Sequence, residues 1–148
     1  MNHSDKSSPI FDGIAAEHAR MPELLSELHT LIASRAELPS TVGKAIDTLV
    51  VFLREHFRHE DEDGFFDEIT IRAPRLLTRA REVSREHLGI LAGMEAFRDV
   101  ALMGDGSESW WDLLDREYHR LMKDLMHHEH QERELLQDTY TDDVGTGD

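Results

Sequence analysis

The chain has no cysteine. Disulfides, thiol nucleophiles, cysteine-ligated zinc and iron–sulfur clusters are therefore excluded together. Proline is scarce at four residues and glycine modest at nine in a chain of 148, which rules out a collagen-like sequence. Basic residues are also few: 16 Lys and Arg stand against 31 Asp and Glu, a formal net charge of −15. Phosphate-backbone binding draws on clustered Lys and Arg, so nucleic acid is not an expected partner. An anionic membrane surface is disfavoured for the same reason. No apolar run approaches the roughly 20 residues that a membrane span needs. The segment Met1–Pro9 is polar and carries no apolar signal core. A cytoplasmic location is the expectation. No segment sustains a two-residue alternation, so no sheet is expected.

What the chain does have is length for one core and a helical pattern. With 39% apolar residues in 148, a single domain can bury a core without staples. The reading is a flexible tail at 1–9, a bundle at 10–140 and an acidic tail at 141–148. Ser8 and Pro9 form a cap and a first-position proline for a first helix. Its apolar face runs through Phe11, Ile14, Leu25, Leu28 and Ile32. Pro22 lies inside that stretch, and an internal proline removes a hydrogen bond, so a bent or divided helix is expected. Ser40 is read as the cap of a second helix that continues to about Ile71, weakened at Gly64. Pro74 suits the first turn of a third helix reaching about Leu102. Gly104–Ser109 reads as a turn. Ser109 with Asp112 resembles a capping box for a fourth helix from about Trp110 to about Tyr140. Four helices with short connections predict an all-α, up-down-up-down four-helix bundle.

The conspicuous excess is histidine, with ten residues. Their placement forms a weak internal repeat. The first half offers His18 and then His56-Phe-Arg-His-Glu60. The second offers His87 and then His128-Glu-His-Gln-Glu132. The lone histidines are 69 residues apart and the motif histidines 72. Residues four apart on a helix share one face, so His56 with Glu60, and His128 with Glu132, can reach a common centre. Imidazole suits iron, zinc, copper and nickel, and a carboxylate can bridge two hard cations.

Heights along the helices agree with this grouping. With a first turn near residue 38, His18 and His56 lie about 20 and 18 residues from it, level to within about 3 Å. His87 lies about 17 residues before the third turn, and His128 about 19 after Ser109. All four histidines converge on one layer. His29 falls some 13 Å away on the same count and is disfavoured. His128 is preferred over His127 and His130 because Leu125 and Leu121 precede it on the same face. His130 follows Met126 and is read as half-buried. His59 is read as rim or surface. Four histidines and two glutamates buried together without a metal would be costly.

At this point the chain resembles the hemerythrin-like family, the HHE cation-binding domain, over roughly residues 10–140. The resemblance rests on His18 in Ala-Glu-His-Ala-Arg, on His56 and Glu60, on His87 in Arg-Glu-His-Leu-Gly, and on His128 and Glu132. It implies a hemerythrin-like bundle around two iron ions, a non-heme, oxygen-bridged di-iron centre. Glu60 and Glu132 would bridge the irons. His18, His56, His87 and His128 would be terminal ligands. The sequence departs from oxygen-carrying hemerythrins at one place. Those have a fifth histidine one turn before the equivalent of His87, and here that position is Val83. Two octahedral irons offer about twelve positions, so about two stay open rather than one. Glu86, Tyr118 or His59 is the alternative source of a further ligand.

Three functions follow from this pattern. The favoured one is a binding module that takes oxygen, nitric oxide or iron in a sensing, carrier or iron and redox homeostasis role. Any signal would then pass to a protein partner that the sequence does not identify. The second is a di-iron enzyme acting on peroxide or another small oxidant. The third is a metal-free or zinc-binding structural bundle. Glu-x-x-His, the mark of ferritin-like carboxylate bundles, does not occur.

Overall fold

A computed structural model of the chain describes residues 8–145. Among them are five α-helices and no strand. Helix α1 is Pro9–Ser34, α2 is Pro39–Glu62, α3 is Phe65–Arg72, α4 is Leu77–Leu102 and α5 is Glu108–Gly145. A single 3-10 turn at Pro74–Leu76 leads into α4. Helices α1, α2, α4 and α5 are the four long members of an up-down-up-down bundle. Each packs on its chain neighbour in the bundle, and α5 closes the ring against α1. The short α3 packs across one end, touching all four. No helix is long and apolar enough to cross a membrane among the described residues.

The first helix begins as its sequence dictates. The Ser8 hydroxyl accepts the Phe11 N–H at 3.1 Å, and Pro9 occupies the first turn. Pro22 does not divide α1, which is one uninterrupted helix from Pro9 to Ser34. Buried Met21 and Leu28 flank the proline and hold the helix on the bundle, so packing outweighs the lost backbone bond. Helix α1 stops at Arg35, whose backbone is left-handed at φ 51. The Arg35 guanidinium then reaches Glu108 at 2.7 Å and Asp112 at 2.8 Å, tying the end of α1 to the start of α5.

Three boundaries differ from the sequence reading. Helix α2 starts on Pro39 after Leu38, with no side-chain cap, so Ser40 does not cap it. Helix α2 also ends at Glu62 rather than near Ile71. Gly64 takes φ 102, which only glycine adopts freely, and the chain turns there into the separate α3. Ser107, not Ser109, caps α5: its hydroxyl accepts the Trp110 N–H at 3.2 Å. Helix α5 continues past Tyr140 to Gly145, into the segment read as an acidic tail. Residues 1–7 of the expected N-terminal tail, and 146–148, lie outside the described residues.

Two apolar clusters fill the bundle. The larger contains Leu28, Ile46, Leu53, Phe97, Trp111 and Leu125, toward the α1–α2 and α4–α5 connections. The smaller, under α3, contains Phe11, Ile14, Phe65, Ile69, Val83 and Leu135. At the start of α4 the 3-10 turn buries Leu76 and leaves Leu77 39% exposed.

One close approach sets a testable limit. A Cβ on Gly104 would lie 1.7 Å from the indole nitrogen of Trp110. That ring is buried, rigid, and donates its N–H to the Val100 carbonyl at 3.3 Å. Gly104→Ala is expected to cost about 1–3 kcal/mol of unfolding free energy by overpacking. At Gly43 the clash is with the Leu102 side chain, which is 46% exposed and free to swing away. Gly43→Ala is therefore the mild control. Urea unfolding of both variants decides it, and equal losses would count against the account.

Candidate metal centre

The polar layer lies between the two apolar clusters. On α1, His18 falls between Ile14 of the smaller cluster and Met21 of the larger. On α4, His87 falls between Val83 and Met94, and on α5 His128 and Glu132 fall between Leu125 and Leu135. Helix α2 adds His56 and Glu60, one turn apart. All but His18 are fully buried, and the His18 side chain is 21% exposed. Phe57 stacks on the His87 ring at 3.9 Å, and Phe52 lies parallel to His56 at 6.1 Å.

The structure brings all six sequence-predicted residues together. Their ligating atoms form two groups, His18–His56–Glu60–Glu132 and Glu60–His87–His128–Glu132, each spanning no more than 4.8 Å. The two glutamates belong to both groups. Glu132 Oε1 lies 3.0 Å from His18 Nε2, while its Oε2 lies 3.3 Å from His87 Nε2 and 2.9 Å from His128 Nε2. Glu60 Oε2 lies 3.3 Å from His18 Nε2 and 3.2 Å from His56 Nε2, while its Oε1 lies 3.1 Å from His87 Nε2. Each carboxylate thus divides its two oxygens between the two histidine pairs.

These separations suit shared cations. Two ligands bound at right angles about 2.1 Å from one first-row ion stand roughly 3 Å apart. Direct hydrogen bonding leaves the cluster incomplete. His56 Nε2 and Glu60 Oε1 are buried without a hydrogen-bond partner, although each faces a potential one at 3.1–3.2 Å. The donor set, imidazole nitrogen and carboxylate oxygen without sulfur, fits iron and other first-row ions.

A second layer of carboxylates aims the rings. The His56 Nδ1–H donates to Glu17 at 2.8 Å, the His87 Nδ1–H to Asp61 at 2.9 Å, and the His128 Nδ1–H to Glu86 at 2.8 Å. Asp61 is itself held by the Ser84 hydroxyl, which donates at 2.6 Å. Outward donation from Nδ1 turns Nε2 inward and makes it a better ligand. Sequence reasoning left Glu17 and Asp61 unassigned. The signal for them was local: each acid directly adjoins a site residue in the chain.

The carboxylates of the layer favour protons on its four histidines. Burial opposes the charge on His18, but Glu132, Glu60 and Glu129 outweigh it and lift its pKa to about 10. Burial likewise opposes the charge on His87, and Asp61, Glu132 and Glu60 raise it to about 11. His56 and His128 move up for the same reasons. Burial works to raise Glu132, yet His128, His18 and His87 hold it well below the usual carboxylate range. Glu129 goes the other way: burial, then repulsion from Glu132, pushes it up to about 7. Glu129 is 5% exposed and lies 3.3 Å from His18 Nε2. Sequence reasoning missed it, because it directly follows His128, on a flank of the helix where periodicity does not predict burial.

The remaining candidates lie elsewhere. His29 is exposed and packs on Tyr118 at 5.5 Å. His127 is exposed, as its polar face required. His130 is exposed rather than half-buried and pairs with Glu134 at 2.7 Å. None of the three suggested extra ligands faces the centre. Tyr118 donates to the Leu25 carbonyl at 3.1 Å, Glu86 holds the outer nitrogen of His128, and His59 bonds Glu17 at the rim. Val83 is buried in the apolar cluster.

A helical bundle with a buried histidine–carboxylate layer on all four long helices belongs to the class of bundle proteins built to hold cations. Comparison with known proteins gives the particular family. The hemerythrin HHE cation-binding domain matches residues 10–140, and the chain belongs to that family. No curated protein and no solved structure matches the chain.

Proposed function

We propose that this chain is a non-heme di-iron protein that binds a small ligand, oxygen or nitric oxide, or iron itself, in a sensing, carrier or iron and redox homeostasis role. The observation that carries this reading is the division of each buried carboxylate between the two histidine pairs. That arrangement supports Glu60 and Glu132 as bridges, with His18 and His56 on one ion and His87 and His128 on the other. Bound iron would supply a redox-active centre for a diatomic ligand. The chain's own residues orient the imidazoles through Glu17, Asp61 and Glu86, and exclude bulk water with the apolar clusters on either side. With no further ligand at Val83, the centre keeps open positions, which also suits a di-iron enzyme acting on peroxide.

Metal analysis of the purified chain tests the reading. About two irons per chain are expected, with His56→Ala and His128→Ala each holding one or fewer. Zinc, a single ion or none in the parent chain would overturn it. Peroxide turnover well above that of free iron would move the reading to the enzyme.

A further inference from the structure

Glu129 is a buried acid with no use in the dinuclear arrangement described so far. Its Oε2 has no hydrogen-bond partner, and its Oε1 faces His18 Nε2 at 3.3 Å without hydrogen-bond geometry. His18 Nε2 is consequently ringed by three carboxylate oxygens, from Glu132 at 3.0 Å, Glu60 at 3.3 Å and Glu129 at 3.3 Å. A single N–H has one proton to donate and cannot satisfy three acceptors. Three carboxylates gathered on one imidazole nitrogen are the surroundings of a cation. The crowding is one-sided. Glu129 Oε1 faces His18, which belongs to the His18–His56 group and not to the His87–His128 group.

Charge argues the same way. Two divalent ions would bring four positive charges into a layer sealed by apolar side chains. Among the fully buried groups Glu60 and Glu132 return two negative charges, while Glu17, Asp61 and Glu86 are 25–36% exposed and screened by solvent; buried charge is costly unless matched. A third buried carboxylate brings the layer closer to neutral.

We propose that Glu129 is a third carboxylate ligand, on the ion held by His18 and His56. The two metal positions are then unequal. The His18–His56 position is the more completely filled by protein, and the His87–His128 position is the one left open to an exogenous ligand. This rests on the dinuclear reading above and assigns the side of the centre on which a small molecule binds.

Cobalt(II) titration, with azide as the probe anion, tests it. The parent chain is measured first: two cobalt ions in two steps are expected, and failure there overturns the dinuclear reading itself. The tighter step belongs to the better-filled position, so Glu129→Gln should weaken that step about 10–100-fold, the range for disturbing a metal site's supporting groups, and leave the weaker step unchanged. Azide should bind the di-cobalt parent at one position and Glu129→Ala at two. Circular dichroism confirms that both variants are folded, and the milder Gln variant carries the test if Ala does not fold. Two unchanged cobalt steps in Glu129→Gln, or the same azide count in parent and variant, would overturn the proposal and leave Glu129 a buried acid without a metal.

Discussion

On the dinuclear reading proposed above, Glu132→Ala is expected to strip the chain of both metal ions, where His18→Ala removes only one ligand from one group. The difference follows from where the carboxylate oxygens point. Glu132 Oε1 serves the His18 side and Oε2 the His87 and His128 side, at 2.9–3.3 Å throughout. Removing it takes a donor from both groups, and it takes the negative charge from the middle of four imidazoles. The metal-free protein suffers too. His18, His87 and His128 are all held in their charged forms in part by Glu132. Breaking a buried charge pair by deleting one partner costs on the order of 3–5 kcal/mol. Metal content and urea unfolding of Glu132→Ala and His18→Ala, compared side by side, are the measurement. Retention of one ion in Glu132→Ala would mean that the carboxylate serves one group alone, against the bridging geometry.

The same geometry explains why so much of the centre was legible in the sequence. A helix repeats its face every three to four residues, so His56 with Glu60, and His128 with Glu132, were committed to common faces before any packing was known. The height count then placed His18 and His87 level with them, because short connections make antiparallel neighbours of consecutive helices. Glu129 escaped this logic. It immediately follows His128, about 100° around the helix, where periodicity assigns a flank and not the core. It is buried because α1 brings His18 against that flank, a contact between residues 111 positions apart. Glu17 and Asp61 were hidden for a related reason. An acid that adjoins a site residue in sequence, as Glu17 adjoins His18 and Asp61 adjoins Glu60, usually faces solvent, and only a neighbouring helix supplies the ring nitrogen that it accepts from.

The helix boundaries divide along the same line. Ser8 and Pro9 act within three residues of themselves, and the start of α1 was read correctly. Pro22 was read as a bend or a division because its effect on a backbone bond is local, while the packing of Met21 and Leu28 that keeps α1 undivided is not. At Gly64 the helical periodicity runs on into Phe65, Phe66 and Ile69, so the pattern alone suggested one helix. The left-handed glycine redirects the chain and lets the same apolar residues cover the end of the bundle as α3.

The metal-free chain should lose stability as pH rises from about 7 to 9, and metal should restore it. His18 and His87 have pKa values of about 10 and 11 in the folded chain, against 6.5 for a free side chain. Below about pH 6.5 both folded and unfolded chains hold these protons, and the full contribution is present. Above it the unfolded chain sheds them while the folded chain keeps them. Stability therefore falls with pH until the folded residues also titrate near 10 and 11. Glu129, raised to about 7, acts in the same direction at lower pH. Glu132, held low, acts in the opposite sense, and only below the usual carboxylate range. Each group that is deprotonated unfolded and protonated folded contributes a slope of up to about 1.4 kcal/mol per pH unit. Partial exposure of His18 reduces its share, so a total of a few kcal/mol between pH 7 and 9 is expected. At roughly 3 °C per kcal/mol for a chain of this size, the melting temperature of the chelator-treated protein should fall by about 10 °C. Surface repulsion does not mimic this, because the acids behind the net charge are already ionised at pH 7, and salt screens them but not the buried layer. In the loaded protein the ions replace the protons, so binding releases protons and its stabilisation grows with pH. Thermal melts with and without metal at pH 6, 7.5 and 9 read both arms. A melting temperature of the metal-free chain that stays level or rises over that range would show that the histidines are neutral in the fold. In that case the buried carboxylates carry the protons, and the layer is balanced in the opposite way.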